Sequence, residues 1–580
     1  MLSAQTIPEL LIQRTKASLD QSAYWLLNKD SEWTAINWSS FQEKVLYLAN
    51  ELQDKGLEKG QAVGIMGASN LHWEIAHLAI LSAGGVVVGL DPNERAEQLD
   101  LMIAKAQIIG LFIDTPEQLN KLDQTKKDDF NFLIQLKVAE HSNQQESIDE
   151  IILKQQQKNH LPTINTTIHE NDIATIIFTS GTTGDPKGIV YTHKQIIFSC
   201  QNILQTYRAL NQTCQLASWL PLSNLFQRIL NLCAIGGGAQ IYFVEDPKKI
   251  IEYLPQINPH IFIAVPRFYE KLYANLEVQL LSQPKALQGL INYSLTQAEN
   301  VNFKGLLFKK INTILLKEFR ALFGHNIQYM VSGSAPMPLW LLKKYAAIDL
   351  LILEAYGLSE NVLPVAANTP SDYKFGSVGK AMPGNEIILA EDNELLVKGP
   401  GVFNGYVGQE KRVPEQYHAS GDYAEIDTQG FIRLTGRKSE VFKTSTGHKI
   451  APVAIETLLI QLSGIDQAVI IGANKKFLCV IITLEINAKP RLILEQVKPL
   501  IKRLPAYKRP AGIIFSSQGF SLEKNEITAN LKLKRKNIQT NFSAYIEQLY
   551  SQLENPESAL QNEPVQINQK ISLYKIARML

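Results

Sequence analysis

The chain is poor in cysteine: Cys200, Cys214, Cys233 and Cys479 are all it has in 580 residues. Four thiols so widely spaced in so long a chain exclude a disulfide-stapled mini-scaffold and a cysteine-rich zinc site, and read as reduced thiols. Net charge is nearly absent, 57 basic against 56 acidic residues leaving +1. No global attraction to nucleic acid follows, and none is expected as a partner. A membrane-length apolar run is missing too. The longest uncharged one, residues 78–90, contains three glycines and falls short of the roughly 20 residues a span requires. The opening residues MLSAQTIPE lack the basic-then-apolar layout of a secretory signal. Together these absences predict a cytoplasmic protein, with peripheral contact to the cytoplasmic membrane face left open. At 580 residues the chain exceeds one core, so two to four domains are expected.

What is present reads as α/β. Residues 39–56 space Phe41, Val45, Leu48 and Leu52 at helical intervals behind a serine cap, with Gly56 as a stop. Residues 62–66 then read as a strand, 71–83 as a mostly apolar helix and 85–90 as a buried strand. That alternation predicts a βαβ unit in a parallel sheet. Residues 121–159 turn polar and are expected to be a surface excursion. Short apolar strands resume at 239–244 and 260–265. QYMVSGSAPMP and LLILEAYGLSE each run from a strand into a polar turn; in a parallel sheet both turns would lie at the carboxyl ends of strands, where such folds place ligands. After Arg437 a charged segment leads to a smaller α+β region with strands at 468–471 and 477–484. A weakly ordered tail is expected from about residue 555, closing in a short helix at 571–580.

Residues 179–188, TSGTTGDPKG, follow a β-branched apolar strand and precede a candidate helix from His193. Thr179, Ser180, Thr182 and Thr183 supply hydroxyls, Gly181, Gly184 and Gly188 supply close backbone approach, and Lys187 supplies a cation. Such a loop suits phosphate oxygens. It is not the common P-loop, which needs Gly-Lys-Ser/Thr, because Lys187 stands between Pro186 and Gly188.

Seven further segments stand in order with this loop: WLPLSNLFQR (219–228), AVPRFYEKLY (264–273), VSGSAPMP (331–338), EAYGLSE (354–360), ELLVKGPGVFNGY (394–406), SGDYAEIDTQGFIRLTGRKSE (420–440) and ITANLKLKR (527–535). In this set the chain resembles the adenylate-forming enzymes, specifically the long-chain fatty acyl-CoA synthetases, through nearly its whole length. The resemblance implies a large multi-subdomain N-terminal adenylation domain with mainly parallel sheets (1–436), a hinge (437–440) with Ser439 at its pivot, a small mobile α+β C-terminal domain (441–545) and a tail (546–580). It implies fatty acid, ATP and CoA as substrates and Mg2+ as the metal. The expected reaction converts a fatty carboxylate to acyl-AMP and pyrophosphate, then to acyl-CoA.

Roles follow from the same resemblance. Thr179, Ser180, Gly181, Thr182, Thr183, Gly184 and Lys187 would hold the β- and γ-phosphates, with Ser359 contacting phosphate and Glu360 holding Mg2+. Gly333, Ser334, Ala335, Tyr356 and Gly357 would border the adenine. Asp422 would accept from the ribose hydroxyls and Arg437 would reach the same region. Lys532 would be the catalytic lysine, neutralising charge between carboxylate and α-phosphate, while Lys534, Arg535 and Lys536 are expected on a solvated basic face. Trp219, Leu222, Phe226 and the glycines around Gly237 are candidates for an acyl channel, although such clusters are more often plain core. Alone, Glu360 would be an ordinary loop acid and Asp422 an ordinary turn residue; their motifs reverse that reading.

Three departures stand out. Asn224 and Gln227 replace a usual histidine and glutamate, so acid–base work by histidine is excluded there while Asn224 still positions a carboxylate. Ser359 replaces threonine, keeping the hydroxyl. Asn525-Glu526 replaces a glycine-containing turn before Lys532. Two alternatives stay open: an acyl-AMP ligase loading a carrier protein, and an impaired member that binds nucleotide or acyl chain without turnover.

Overall fold

The computed structural model describes residues 3–576 apart from 29, 124–128, 138–145, 159–164, 166, 180–184, 282–284, 286–288, 290–319, 411, 414, 486–487, 522, 528–532, 556, 559 and 561–563. The chain divides into two compact units. The first holds Met1–Met337, Leu342–Ile387 and Val397–His418; the second holds Pro338–Leu341, Ile388–Leu396 and Ala419–Leu580.

The first unit is built on the expected βαβ pattern. Trp38–Asp54 is helical, its first turn capped by Asn37, whose side-chain oxygen accepts from Ser40 N–H at 2.8 Å. Phe41, Val45, Leu48 and Leu52 are fully buried, each worth about 1.5–3 kcal/mol relative to exposure. Leu71–Ala83 is buried on nearly every face and ends at Gly84, whose φ of 92° is left-handed. The strands Phe132–Gln135, Ile108–Ile113, Ala62–Met66, Val86–Leu90 and Ile173–Thr179 lie side by side in parallel, and Lys187–Thr192 closes the sheet antiparallel. A second sheet runs parallel through Ile261–Ala264, Tyr329–Ser332 and Ile352–Leu358, then antiparallel through Asn361–Ala367 and Lys380–Ala381. The turns after Ser332 and Leu358 therefore do leave the carboxyl ends of parallel neighbours.

The expected surface excursion over 121–159 is partly core. Phe132–Gln135 forms the sheet edge, and the helix Ile148–Gln157 buries Ile151 and Ile152 behind a Ser147/Glu150 capping box. Its polar majority concealed two short apolar clusters.

The second unit carries a sheet ordered Ile465–Ile471, Leu478–Leu484, Pro510–Ser516, Ile571–Lys575, Val565–Gln566. Pro452–Leu459 and Pro490–Lys502 pack Ile455, Leu459, Ile493 and Val497 on one face, and Arg535–Asn541 and Ser543–Glu554 pack Ile538, Leu549 and Leu553 on the other. The result is α+β. The tail departs from expectation: Ile571–Lys575 is a strand, antiparallel to Pro510–Ser516, where a helix was anticipated. Ile571 and Leu573 alternate toward the buried cluster, a period of two that a five-residue stretch shows only when a sheet edge is there to receive it.

Candidate active site

The phosphate-loop motif is the tip of a hairpin. Thr179 and Lys187 are cross-strand partners at its neck, which explains why a lysine eight residues on can stand beside the first threonine. Ser180, Gly181, Thr182, Thr183 and Gly184 lie outside the described residues. Below the tip, Lys105 Nζ donates to Asp185 Oδ2 at 2.7 Å and to the Pro186 carbonyl at 3.0 Å, tying down the returning arm. Lys187 is exposed and has no carboxylate partner among the described residues; its Nζ stands 5.4 Å from the centre of the Tyr406 ring.

The second sheet supplies the residues expected around adenine. Gly333, Ser334 and Ala335 form the turn that leaves Tyr329–Ser332, and Ser334 takes a left-handed φ of 73°. That turn is tied back to the neighbouring strand: Met337 N–H donates to Glu354 Oε1 at 3.0 Å. Glu354 is 6% exposed, and burial pushes its carboxyl up to about 7. Tyr356 is buried, and Gly357 sits where the pairing with Asn361–Ala367 slips register.

Ser359 and Glu360 occupy the turn that follows. The Ser359 carbonyl accepts from Tyr191 OH, the Glu360 carbonyl accepts from Phe403 N–H at 2.9 Å, and Glu360 Oε1 accepts from Tyr406 OH at 3.1 Å. Burial, then the Glu360 carboxylate, holds the Tyr406 hydroxyl above its usual range, so it remains a proton donor near neutrality. Among the described residues no three His, Cys, Asp or Glu side chains cluster as a metal cage. One carboxylate with a second oxygen unbonded fits instead an Mg2+ shared with phosphate oxygens. Tyr406 was not singled out in the sequence; its position closing ELLVKGPGVFNGY was the available signal.

The segment 219–228 packs against the six-stranded sheet, where a Cβ on Gly89 would meet the Ser223 carbonyl at 2.8 Å. Trp219 is buried, stacks on Phe262 at 5.8 Å and donates to the Ile263 carbonyl at 3.0 Å. Asn224 caps Leu225–Gly237 by position only, its amide making no hydrogen bond among the described residues. Gln227 uses both halves of its amide, accepting from Leu220 N–H at 3.2 Å and donating to Asn231 at 3.0 Å. A carboxylate could not make the second bond as donor, which gives the glutamine a structural reason. Gly237 stands where a Cβ would clash with the Leu210 carbonyl, so close packing alone requires glycine there.

In the second unit Asp422 and Arg437 are cross-strand partners, with Arg437 Nε 3.0 Å from Asp422 Oδ1. Lys532 lies outside the described residues. Asn525, in the pair that replaces a glycine-containing turn, takes a left-handed φ of 55°, a conformation that glycine adopts freely and asparagine tolerates. Its backbone carbonyl accepts from the Asn537 side chain at 2.8 Å. Of the expected solvated basic face Lys536 is exposed, but Lys534 donates to Asn525 Oδ1 at 2.5 Å, and Arg535 grips Glu456 with both terminal nitrogens and lies 3.5 Å from Glu440 Oε2. Glu456 is 5% exposed, so its charge demands such a partner.

FadD15 of Mycobacterium bovis, a long-chain-fatty-acid–CoA ligase, is 28% identical over 563 residues, covering 90% of this chain and 93% of its own. The human long-chain-fatty-acid–CoA ligase ACSBG2 is 26% identical over 488 residues, covering 78% and 73%. The crystal structure of the anthranilate CoA ligase AuaEII with anthranoyl-AMP superposes with a TM-score of 0.73 at 18% identity, covering 93% of this chain and 98% of that one; it bears on the fold alone. A profile described as AMP-binding enzyme C-terminal domain matches residues 440–554. The AMP-binding enzyme profile matches residues 13–407, and the chain belongs to that family, the adenylate-forming enzymes.

Proposed function

We propose that this protein is a long-chain fatty acid:CoA ligase that works through acyl-AMP. A fatty carboxylate is a poor acceptor for a thiolate because its own charge repels the nucleophile. One carboxylate oxygen attacks the α-phosphorus of ATP, pyrophosphate departs, and the resulting mixed anhydride carries AMP as a good leaving group. The CoA thiolate then attacks the carbonyl carbon, AMP leaves with the bridging oxygen, and the thioester remains.

The observation that carries this reading is the Lys187–Tyr406–Glu360 constellation at the neck of the phosphate loop. Lys187, without a carboxylate partner among the described residues, is available to the β- and γ-phosphates, and Thr179 beside it donates a hydroxyl. Glu360, with Oε2 unbonded among the described residues, would hold Mg2+; when bound, that ion neutralises charge on the phosphate oxygens. Gly333, Ser334, Ala335, Tyr356 and Gly357 wall the adenine, Ser359 adds a hydroxyl toward phosphate, and Asp422 oriented by Arg437 accepts from the ribose. Lys532 neutralises charge between carboxylate and α-phosphate, carried by a small domain that turns about residues 437–440. Asn224 orients the carboxylate, with Trp219 beside the acyl path. The acid class rests on the long-chain-fatty-acid–CoA ligases that the chain resembles.

Pyrophosphate release measured across carboxylic acids of increasing length, with and without CoA, tests the proposal. CoA-dependent thioester formation with long-chain acids is expected. Adenylate that persists with CoA but transfers to a carrier-protein phosphopantetheine would replace the acceptor, and absence of pyrophosphate with every acid would reject catalysis.

A further inference from the structure

The Ser359–Glu360 turn is held by two tyrosines that both belong to the phosphate-loop side of the site. Tyr191 lies four residues beyond Lys187 on the same face of Lys187–Thr192 and donates to the Ser359 carbonyl. Tyr406 sits on the segment clamped along that strand: Val190 N–H donates to the Gly405 carbonyl at 3.3 Å, Val407 N–H donates to the Gly188 carbonyl at 2.8 Å, and Ile189 bridges to Tyr406 itself. The two hydroxyls do different things. Tyr191 fixes the backbone of the turn, whereas Tyr406 commits one oxygen of the carboxylate, Oε1, at 3.1 Å and presents its ring to Lys187 at 5.4 Å. The phenol therefore stands between the cation meant for phosphate and the anion meant for metal, and leaves Oε2 as the oxygen without a hydrogen bond among the described residues.

We propose that Tyr406 is a positioning residue that restricts Glu360 to one-oxygen coordination and so selects Mg2+ over larger divalent ions such as Ca2+. This rests on the adenylation reading above. Mg2+ is small, demands octahedral geometry and takes few carboxylate ligands, whereas Ca2+ accepts six to eight oxygens and readily chelates both oxygens of one carboxylate. Chelation through both oxygens would have to compete with the Tyr406 hydroxyl for Oε1. With that bond in place two-oxygen chelation of a large ion is disfavoured; without it, the carboxylate is free to rotate and chelate.

The test is equilibrium binding of the α,β-methylene analogue of ATP, which cannot transfer AMP to the carboxylate, titrated with Mg2+ or Ca2+. In the unmodified protein Mg2+ is expected to support binding better than Ca2+. Tyr406→Phe keeps the ring beside Lys187 and removes only the hydroxyl. It is expected to shift the Mg2+/Ca2+ preference toward Ca2+ by about tenfold, the scale of one hydrogen bond to a charged group. Tyr191→Phe, which loosens the same turn without freeing Oε1, is expected to leave the ion preference unaltered. An unshifted preference in Tyr406→Phe, or an equal shift in Tyr191→Phe, overturns the selective role of Tyr406 while leaving the adenylation reading intact. Analogue binding indifferent to every divalent ion in the unmodified protein overturns both the assignment of Glu360 to metal and this proposal.

Discussion

Arg437 Nε stands 3.0 Å from Asp422 Oδ1 across paired antiparallel strands, with Asp422 only 4% exposed and the Arg437 side chain 54% exposed. The arginine is thus placed to aim the nearly buried carboxylate. Asp422→Asn should weaken binding of ATP or its α,β-methylene analogue by about tenfold or more, the scale of a lost charge-assisted hydrogen bond. Arg437→Gln should cost less, since it acts through Asp422. Calorimetric titration of the analogue reads both, and unchanged affinity in Asp422→Asn would remove that residue from the ribose site.

Glu354 makes stability depend on pH. Its carboxyl is raised to about 7 by burial against an ordinary value of 4.5, so the folded state binds the proton more tightly than the unfolded state. Stability from this group is present in full below pH 4.5 and is lost as pH rises through about 7. Glu354→Gln keeps an acceptor for Met337 N–H and removes the titration. Denaturant unfolding should find the variant equal to the parent near pH 4.5 and more stable by up to about 3 kcal/mol at pH 8. A difference constant across that range would show that Glu354 does not titrate in it.

Arg535 and Glu456 make a prediction about the small unit. Arg535→Met leaves Glu456, 5% exposed, without its cation, and should destabilise that unit by about 3–5 kcal/mol. Pairing it with Glu456→Leu should recover part of the loss, because the orphaned charge is then removed. A loss in the single variant below about 0.5 kcal/mol, the range of ordinary surface substitutions, would mean the residue is solvated after all.

Substitution of Lys532 is expected to separate the two half-reactions. Lys532→Ala should abolish pyrophosphate release while thioester formation from supplied acyl-AMP remains much less affected. Equal loss of both steps would assign the charge neutralisation elsewhere.

Much of this was legible in the sequence because local and tertiary demands coincide. The helix over 38–54, the strand at 62–66 and the buried helix at 71–83 carry clear periods and caps, and their elements formed where expected. Paired motifs fared similarly: Asp422 and Arg437 meet across a hairpin that their spacing permits. What was missed depends on partners distant in sequence. Ile571–Lys575 becomes a strand only because Pro510–Ser516 offers an edge, and Arg535 looks like part of a basic run until Glu456, 79 positions away, is seen beneath it. Tyr406 is the same kind of case, since its meaning lies between Lys187 and Glu360 rather than in its own neighbourhood.

The central claim, that the carboxylate is activated as acyl-AMP before it meets CoA, can be read from oxygen atoms. A long-chain fatty acid labelled with 18O in both carboxylate oxygens is turned over with ATP, Mg2+ and CoA, and the AMP is analysed by mass spectrometry. The account predicts one 18O in each AMP, delivered by the oxygen that attacked the α-phosphorus, with the other label retained in the thioester. Thioester formed alongside unlabelled AMP would contradict it.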